Sequence, residues 1–345
     1  MNTNKNNRIP QKPLINIRLS DKKDAVIILD QRLLPNTIKY LELRTIDEMY
    51  DAIYTLKVRG APAIGVFAAY AFYICCQHIE VEDKKYKSDE CNQIAEKLKS
   101  ARPTAVNLAW AVDRMLAAHK SGKDLLCECQ AIHNEDIAMC KAISEHGLTL
   151  LKDGDCVITH CNAGALATSQ YGTGLGALIL GAERGMKLRA YVDETRPLLQ
   201  GARITALELM NAGVDTTLIC DNMVSAVMQQ KTLRQISAAF VGCDRVAANG
   251  DVANKIGTSG LAVLAKHYGV PFYVFCPAST FDKSCKTGAD IVIEERNATE
   301  ITELYFKERI APKDIKCFNP SFDVTPAELI TAIVTEKGIF APNEV

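Results

Sequence analysis

Five short stretches concentrate the residues that could do chemistry. They are His160-Cys161-Asn162-Ala163-Gly164, Asp193-Glu194-Thr195-Arg196-Pro197-Leu198-Leu199-Gln200-Gly201, Cys220-Asp221-Asn222-Met223, Gly242-Cys243-Asp244-Arg245 and Cys276-Pro277. Each follows directly on a short apolar run. Thiols can serve as bases or nucleophiles when ionised, and carboxyls can serve as acids or bases. Polar residues are ordinary in loops, but Cys, Asn and Asp at this density are not, and the pattern points to one active-site rim. A second group of stretches is basic. Arg59-Gly60-Ala61-Pro62, Ala101-Arg102-Pro103-Thr104 and Asn254-Lys255-Ile256-Gly257 each place a cation where a helix is expected to begin. A helix start offers unpaired N–H groups to an anion, and Pro suits the first turn. Each alone is more often a solvated charge near a cap; together they point to a phosphate pocket.

The elements that must hold these residues follow from the apolar pattern. Cys156–Thr159, Arg189–Val192, Thr217–Cys220, Ala239–Gly242 and Phe272–Phe275 read as strands, with helical stretches near 173–185, 200–213, 222–231 and 256–268 between them. That βα rhythm predicts a doubly wound parallel sheet of Rossmann-like type over 151–345, and in such sheets ligands bind beyond the carboxyl ends of the strands. Residues 1–150 read differently. Ala25–Leu29 and Tyr40–Arg44 are expected to pair as strands after a loose start over 1–24. Thr45 caps a helix to about Leu56, and helices follow at about 61–79, 89–100, 103–119 and 123–151, with Glu80–Glu90 as a solvated connection. The expected architecture is α/β: a small sheet plus helical bundle, then the Rossmann-like domain.

Composition sets the outer limits. The chain has 345 residues, 48% hydrophobic, with 40 Lys plus Arg against 41 Asp plus Glu. A net charge of −1 leaves no global excess to hold nucleic acid or an anionic membrane. Thirteen Cys without a single C-x-x-C are expected to be reduced, mostly buried thiols of a cytoplasmic protein. No cluster of metal-ligand spacing is apparent, so no metal is expected. Ala61–Ile79 runs 19 residues without a charged side chain, but it contains Pro62, Gly65, Gln77 and His78 and is read as a buried helix rather than a span. A dinucleotide site is the generic alternative. Gly172-Thr173-Gly174-Leu175-Gly176 lies near a helix start, and Asp193 follows 19 residues after Gly174. The glycines come too late after the strand and at the wrong spacing, which favours turn and packing roles.

At these residues the sequence closely resembles the methylthioribose-1-phosphate isomerase family, aldose–ketose isomerases of methionine salvage. The matching stretches are Val58–Gly65, Arg102–Leu108, His160–Gly164, Asp193–Arg203, Asp244–Gly257 and Asn319–Pro326, in the same order and spread over about Asp30 to Phe340. The wider superfamily includes isomerases of 5-deoxyribose 1-phosphate and ribose 1,5-bisphosphate, and regulatory subunits of a translation-initiation exchange factor. The resemblance implies Cys161 and Asp244 as the catalytic pair and Arg59, Gly60, Ala61, Arg102, Gln200, Asn254 and Lys255 as substrate-binding residues. It also implies a homodimer without a cofactor. Retention of the pair argues for an enzyme over a regulatory relative. There are departures: no aromatic precedes Tyr40 where an early Trp is common, Ser259 replaces a common Tyr, Cys243 replaces Ala, and Asn297-Ala298 is unusual. They bear on the group carried at C5 of the sugar.

The chemistry such a substrate requires is specific. Its anomeric carbon is blocked by phosphate, so the furanose needs a general acid at the ring oxygen. The resemblance gives that role to Asp244. A free Asp titrates near 3.9, and acting as an acid at pH 7 would need roughly 4 kcal/mol of differential destabilisation of the carboxylate, within reach of desolvation. Hydrogen then moves from C2 to C1, with Cys161 as base for an enediol-type route or as polar stabiliser for a hydride shift.

Overall fold

The computed structural model describes residues 14–344 apart from 78, 80–83, 104 and 231–234. The chain divides into two compact units.

The first unit comprises residues 14–141 and 164–172. It opens with an antiparallel sheet of β1 (Ile17–Leu19), β2 (Val26–Leu29) and β3 (Tyr40–Leu43). The expected pair is present. The start is not loose throughout: three residues of it add a strand, too short to show a period, while residues 1–13 of that stretch lie outside the described residues. Helix α1 (Ile46–Tyr54) begins as read, with Thr45 Oγ1 accepting from Glu48 N and Glu48 Oε2 accepting from Thr45 N. Next comes α2 (Ala61–Gln77), buried on nearly every face from Ala63 to Cys76 because it is apolar all round. Among the described residues no helix is long and apolar enough to cross a membrane. Helix α3 (Lys84–Ser100) starts inside the stretch read as a connection. Lys and Glu are good helix formers, and a charged face is no obstacle to a helix. The bundle closes with α4 (Val106–Lys120) and the part of α5 (Leu125–Leu148) up to Lys141.

The second unit holds a seven-stranded sheet. Its strands are β4 (Cys156–His160), β5 (Arg189–Asp193), β6 (Asp215–Ile219), β7 (Ala238–Val241), β10 (Phe272–Phe275), β13 (Ala332–Thr335) and β14 (Gly338–Phe340). Their order is β14-β13-β10-β7-β4-β5-β6, parallel except for the β13–β14 edge. The five strands read from sequence are all present and parallel. Two more extend the sheet beyond Phe275. The chain winds from β4 through β5 to β6 and then returns beside β4 as β7, so the direction of winding reverses between β4 and β7. Both strands are wholly buried, which is why they read as unbroken apolar runs. Phe240 and Phe275, tilted at 4.6 Å between ring centres, lock β7 to β10.

The link between β7 and β10 is not a simple helical crossover. It contains β8 (Arg245–Ala247), β9 (Val252–Lys255) and α6 (Thr258–Tyr268). With β11 (Phe281–Asp282) and β12 (Phe322–Thr325) these strands form a second sheet of order β11-β8-β9-β12. Lys255 therefore ends a strand and does not open a helix. The helix starts three residues later, after Gly257 at φ 102°. Sequence reading missed this sheet because its strands have two to four residues and mixed polarity.

Candidate active site

The direction of winding reverses between β4 and β7, and the carboxyl ends at such a reversal are the usual ligand position in an open α/β sheet. His160 at the end of β4 pairs in register with Val241 at the end of β7. Cys161 is the next residue on one side, and Asp244 lies three residues beyond Val241 on the other. The two residues implied as a catalytic pair thus sit at the two strand ends that flank the switch point.

Cys161 is buried and takes a left-handed backbone, φ 65°. Such a conformation costs an L-residue about 1–3 kcal/mol and persists only where surroundings over-determine it. Here Cys161 N donates to Thr195 Oγ1 at 2.9 Å, and Cys161 O accepts from Thr205 Oγ1 at 2.6 Å. Asn162 Nδ2 donates to Glu208 Oε2 at 2.6 Å and fixes the next residue. Asp244 is exposed, with its N–H on Ala253 O at 3.0 Å. The expected desolvation of this carboxyl in an apolar cleft is therefore not supplied by the chain itself.

The implied binding residues fall into both units. In the sheet unit, Gln200 is buried beyond β5, and its Oε1 has no hydrogen-bond partner. Asn254 and Lys255 end β9, one residue from the strand contact of Asp244's own backbone. Asn254 Nδ2 donates to Thr258 Oγ1 at 3.0 Å; Lys255 Nζ donates to Ser321 O at 2.9 Å and lies 4.3 Å from the centre of the Phe322 ring. In the helical unit, Arg59 and Gly60 precede α2, whose first residue is Ala61. Gly60 has φ 92°, and a Cβ there would stand 2.3 Å from Ala167 O, so only Gly fits. Arg102 lies between α3 and α4, four residues before the helix rather than at its first turn, and Thr104 falls outside the described residues. Gly65 of α2 packs on Asn107 of α4, which sets the starts of the two helices side by side.

Three side chains from three strand ends converge in a way that linear spacing could not show. One donor atom each of His160, Asp193 and Asp221 lies within 4.8 Å of the others, so the reading that no ligand cluster exists is corrected. The donor set does not fit a metal. His160 Nε2 faces Ile256 O at 2.8 Å and its Nδ1 faces Asp193 Oδ2 at 3.0 Å. Both oxygens of Asp221 accept backbone N–H groups, from Thr195 and Arg196, at 2.7 Å. Among these donors only Asp193 Oδ1 lacks a partner. Burial pushes the Asp193 carboxyl above the usual range, opposed by His160. For His160, burial lowers the value, but the Asp193 carboxylate, Asp221 and the Ile256 carbonyl together outweigh it and hold the imidazole above its usual value.

The dinucleotide alternative also meets its test here. A Cβ on Gly174 would lie 3.0 Å from the Val241 carbonyl carbon, so this glycine serves close packing on the end of β7. The cysteines behave as core. Nine of thirteen are buried, and burial pushes the Cys75 and Cys129 thiols up to about 12.

Comparison with known proteins fixes the kinship. The model of the initiation factor 2 subunit family matches residues 57–342. The chain belongs to that family. A methylthioribose-1-phosphate isomerase of Parabacteroides distasonis is 56% identical over 336 residues, covering 95% of this chain and 99% of its own. A 5-deoxyribose 1-phosphate isomerase of Clostridium botulinum is 50% identical over 343 residues, covering 95% and 96%. A crystal structure of 5-methylthioribose 1-phosphate isomerase from Pyrococcus horikoshii superposes with a TM-score of 0.90 at 36% identity, over 98% of this chain and 96% of that one. Within the initiation factor 2 subunit family this chain stands among the isomerases.

Proposed function

We propose that the chain interconverts methylthioribose 1-phosphate and methylthioribulose 1-phosphate, with Asp244 as acid and Cys161 as base or polar stabiliser. The observation that carries this reading is the placement of Cys161 and Asp244 on the two strand ends that flank the switch point. Asp244 donates its proton to the ring oxygen, and the bond from that oxygen to C1 breaks. In one route the Cys161 thiolate takes the proton from C2, the thiol exchanges with solvent, and a proton passes from it to C1. In the other, the hydrogen shifts from C2 to C1 with its electron pair. Either way the C2 hydroxyl loses its proton as it becomes the ketone, which restores the acid. Covering the exposed Asp244 with sugar would supply the desolvation that its acid form requires.

Arg59, Gly60, Ala61, Arg102, Asn254 and Lys255 are proposed to bind substrate, the cations and helix start answering the phosphate. Gln200 Oε1, a buried acceptor without a partner, would take a sugar hydroxyl. The working form is proposed to be a homodimer. The test is turnover of a panel of pentose 1-phosphates followed by NMR in D2O. A ketose 1-phosphate from the methylthio sugar supports the reading, and no product from any member overturns it. Solvent deuterium at C1 marks the base route; full retention of the C2 hydrogen marks the hydride route. A 5-deoxyribose 1-phosphate isomerase is the second reading, favoured by the relative of that name and by Ser259 where an aromatic is common.

A further inference from the structure

We propose that His160 is a positioning residue of this site, a doubly protonated ring that holds the Cys161 loop and the Asn254–Lys255 strand end in one geometry. The inference rests on the isomerase reading for what is positioned, but not for the state of the ring. A backbone carbonyl can only accept, so His160 Nε2, at 2.8 Å from Ile256 O, carries a hydrogen. The second nitrogen faces a carboxylate oxygen of Asp193 at 3.0 Å, and ring and carboxyl share one further proton. Carboxylates face this ring from three elements: Asp193 ends β5, Asp221 follows β6, and Asp323 lies on β12 against Gly257. All three favour the proton on the imidazole, and the ring is 2% exposed, so water does not compete for it.

Each nitrogen leads to a different part of the site. Through Nε2 the ring holds Ile256, whose neighbour Lys255 ends β9. Gly257 backs onto the same ring, and its N–H, with that of Ser259, is held by the two oxygens of Asp323. Asp323 pairs in register with Asn254. Through Nδ1 the ring holds Asp193. The Asp193 carbonyl accepts from Thr195 Oγ1 at 3.1 Å, and that oxygen accepts from Cys161 N. One continuous path of hydrogen bonds therefore runs from the binding strand, through His160, to the backbone of the strained thiol residue.

The test separates the two arms. His160→Asn keeps a donor near the Nδ1 position and cannot reach Ile256; His160→Gln reaches toward Ile256 and loses Asp193. The expected results are a KM raised at least tenfold with kcat within threefold for H160N, and kcat lowered at least tenfold with KM within threefold for H160Q. A merely structural role would lower kcat in both variants through the folded fraction and leave KM unchanged in both, and that result would overturn the proposal. In wild-type protein, nitrogen-15 NMR should show two ring N–H protons on His160 from pH 7 to 9; a neutral ring there refutes it even if neither variant folds. If the wild type turns over no pentose phosphate, the isomerase reading falls by itself. The arms are then read by inorganic phosphate affinity, weakened at least fivefold in H160N, and by the alkylation rate of the Cys161 peptide, changed at least fivefold in H160Q. Unchanged values in both would sink the proposal.

Discussion

Replacing Gly257 with Ala attacks the site through a single methyl group. Gly257 has φ 102° and ψ −18°, a region that L-residues rarely enter. The backbone cost is about 1–3 kcal/mol. The added Cβ would lie 2.7 Å from His160 Cε1 and 2.9 Å from Nε2. The ring cannot swing aside without breaking its contacts to Asp193 and Ile256, so overpacking adds about 1–3 kcal/mol. A total of about 2–6 kcal/mol corresponds to a melting temperature lowered by about 4–24 °C for a domain of this size. Gly257 follows Lys255 by two residues, so KM for the sugar phosphate should rise as well. The assays are a thermal melt and steady-state kinetics on G257A, H160A and the double variant. Removing the ring relieves the clash but not the backbone strain, so the double variant should be more stable than the sum of the single losses allows, by about 1–3 kcal/mol. Strict additivity, or a G257A melt within 2 °C of wild type, would show that Gly257 and His160 do not crowd one another.

Much of this arrangement was legible in the sequence, and the boundary of legibility is physical. Strands β4, β5, β7 and β10 announce themselves as apolar runs because the sheet buries them on both faces. Thr45 and Glu48 mark a helix start because capping is a local interaction. Cys161 and Asp244 could be placed at strand ends, since the residue after a buried strand is where polar chemistry begins. Other features need tertiary structure. His160 and Asp193 lie in sequence among the expected rim residues, yet 33 positions separate them and no local period pairs them. Lys255 reads as a helix start because a helix does follow, but a four-residue strand with two polar members carries almost no signal. Arg59 and Arg102 read as parts of one phosphate pocket from their number alone, and the packing of Gly65 on Asn107 is what sets their helix starts side by side.

The insertion between β7 and β10 explains why this rim can change its chemistry without losing its fold. Asp244 sits just before β8, and Asn254 and Lys255 end β9, so the proposed acid and the proposed binding residues travel on one hairpin. Cys161 belongs to the main sheet. The hairpin keeps its own register through β12 and β11, and the main sheet keeps its core whatever the hairpin presents. A relative can therefore change the hairpin's side chains while keeping the scaffold, which fits a family whose name refers to initiation-factor subunits and whose members include isomerases.

Cys161→Ser and Asp244→Asn should each lower kcat by about two orders of magnitude or more with an unchanged fold; wild-type turnover in either removes that residue from the mechanism. Asp136 is buried against Ser169 N, and burial holds its carboxyl above the usual value. A raised carboxyl favours the fold most below the unfolded value of about 3.9, and this contribution is lost as pH rises through the folded value. Asp136→Asn should therefore gain stability relative to wild type as pH rises from 4 to 8 in parallel melts, and a constant difference would contradict the assignment. The ratio of kcat/KM for methylthioribose 1-phosphate over 5-deoxyribose 1-phosphate should stay below about a hundredfold, because loss of aromatic contact at C5 is worth only about 1–3 kcal/mol. Gln200→Leu should separate stability from function. Gln200 Oε1 is buried and has no partner, and an unsatisfied buried acceptor costs about 1–3 kcal/mol. Leucine has nearly the same length and no polar atom, so the free protein should be as stable as wild type or up to about 1 kcal/mol more so. The sugar hydroxyl that this oxygen would accept then faces a methyl group, and kcat/KM should fall at least tenfold, about 1.4 kcal/mol. Opposite signs in melt and kinetics identify an acceptor kept for the ligand. A destabilised variant with full activity would show that the oxygen serves the fold instead.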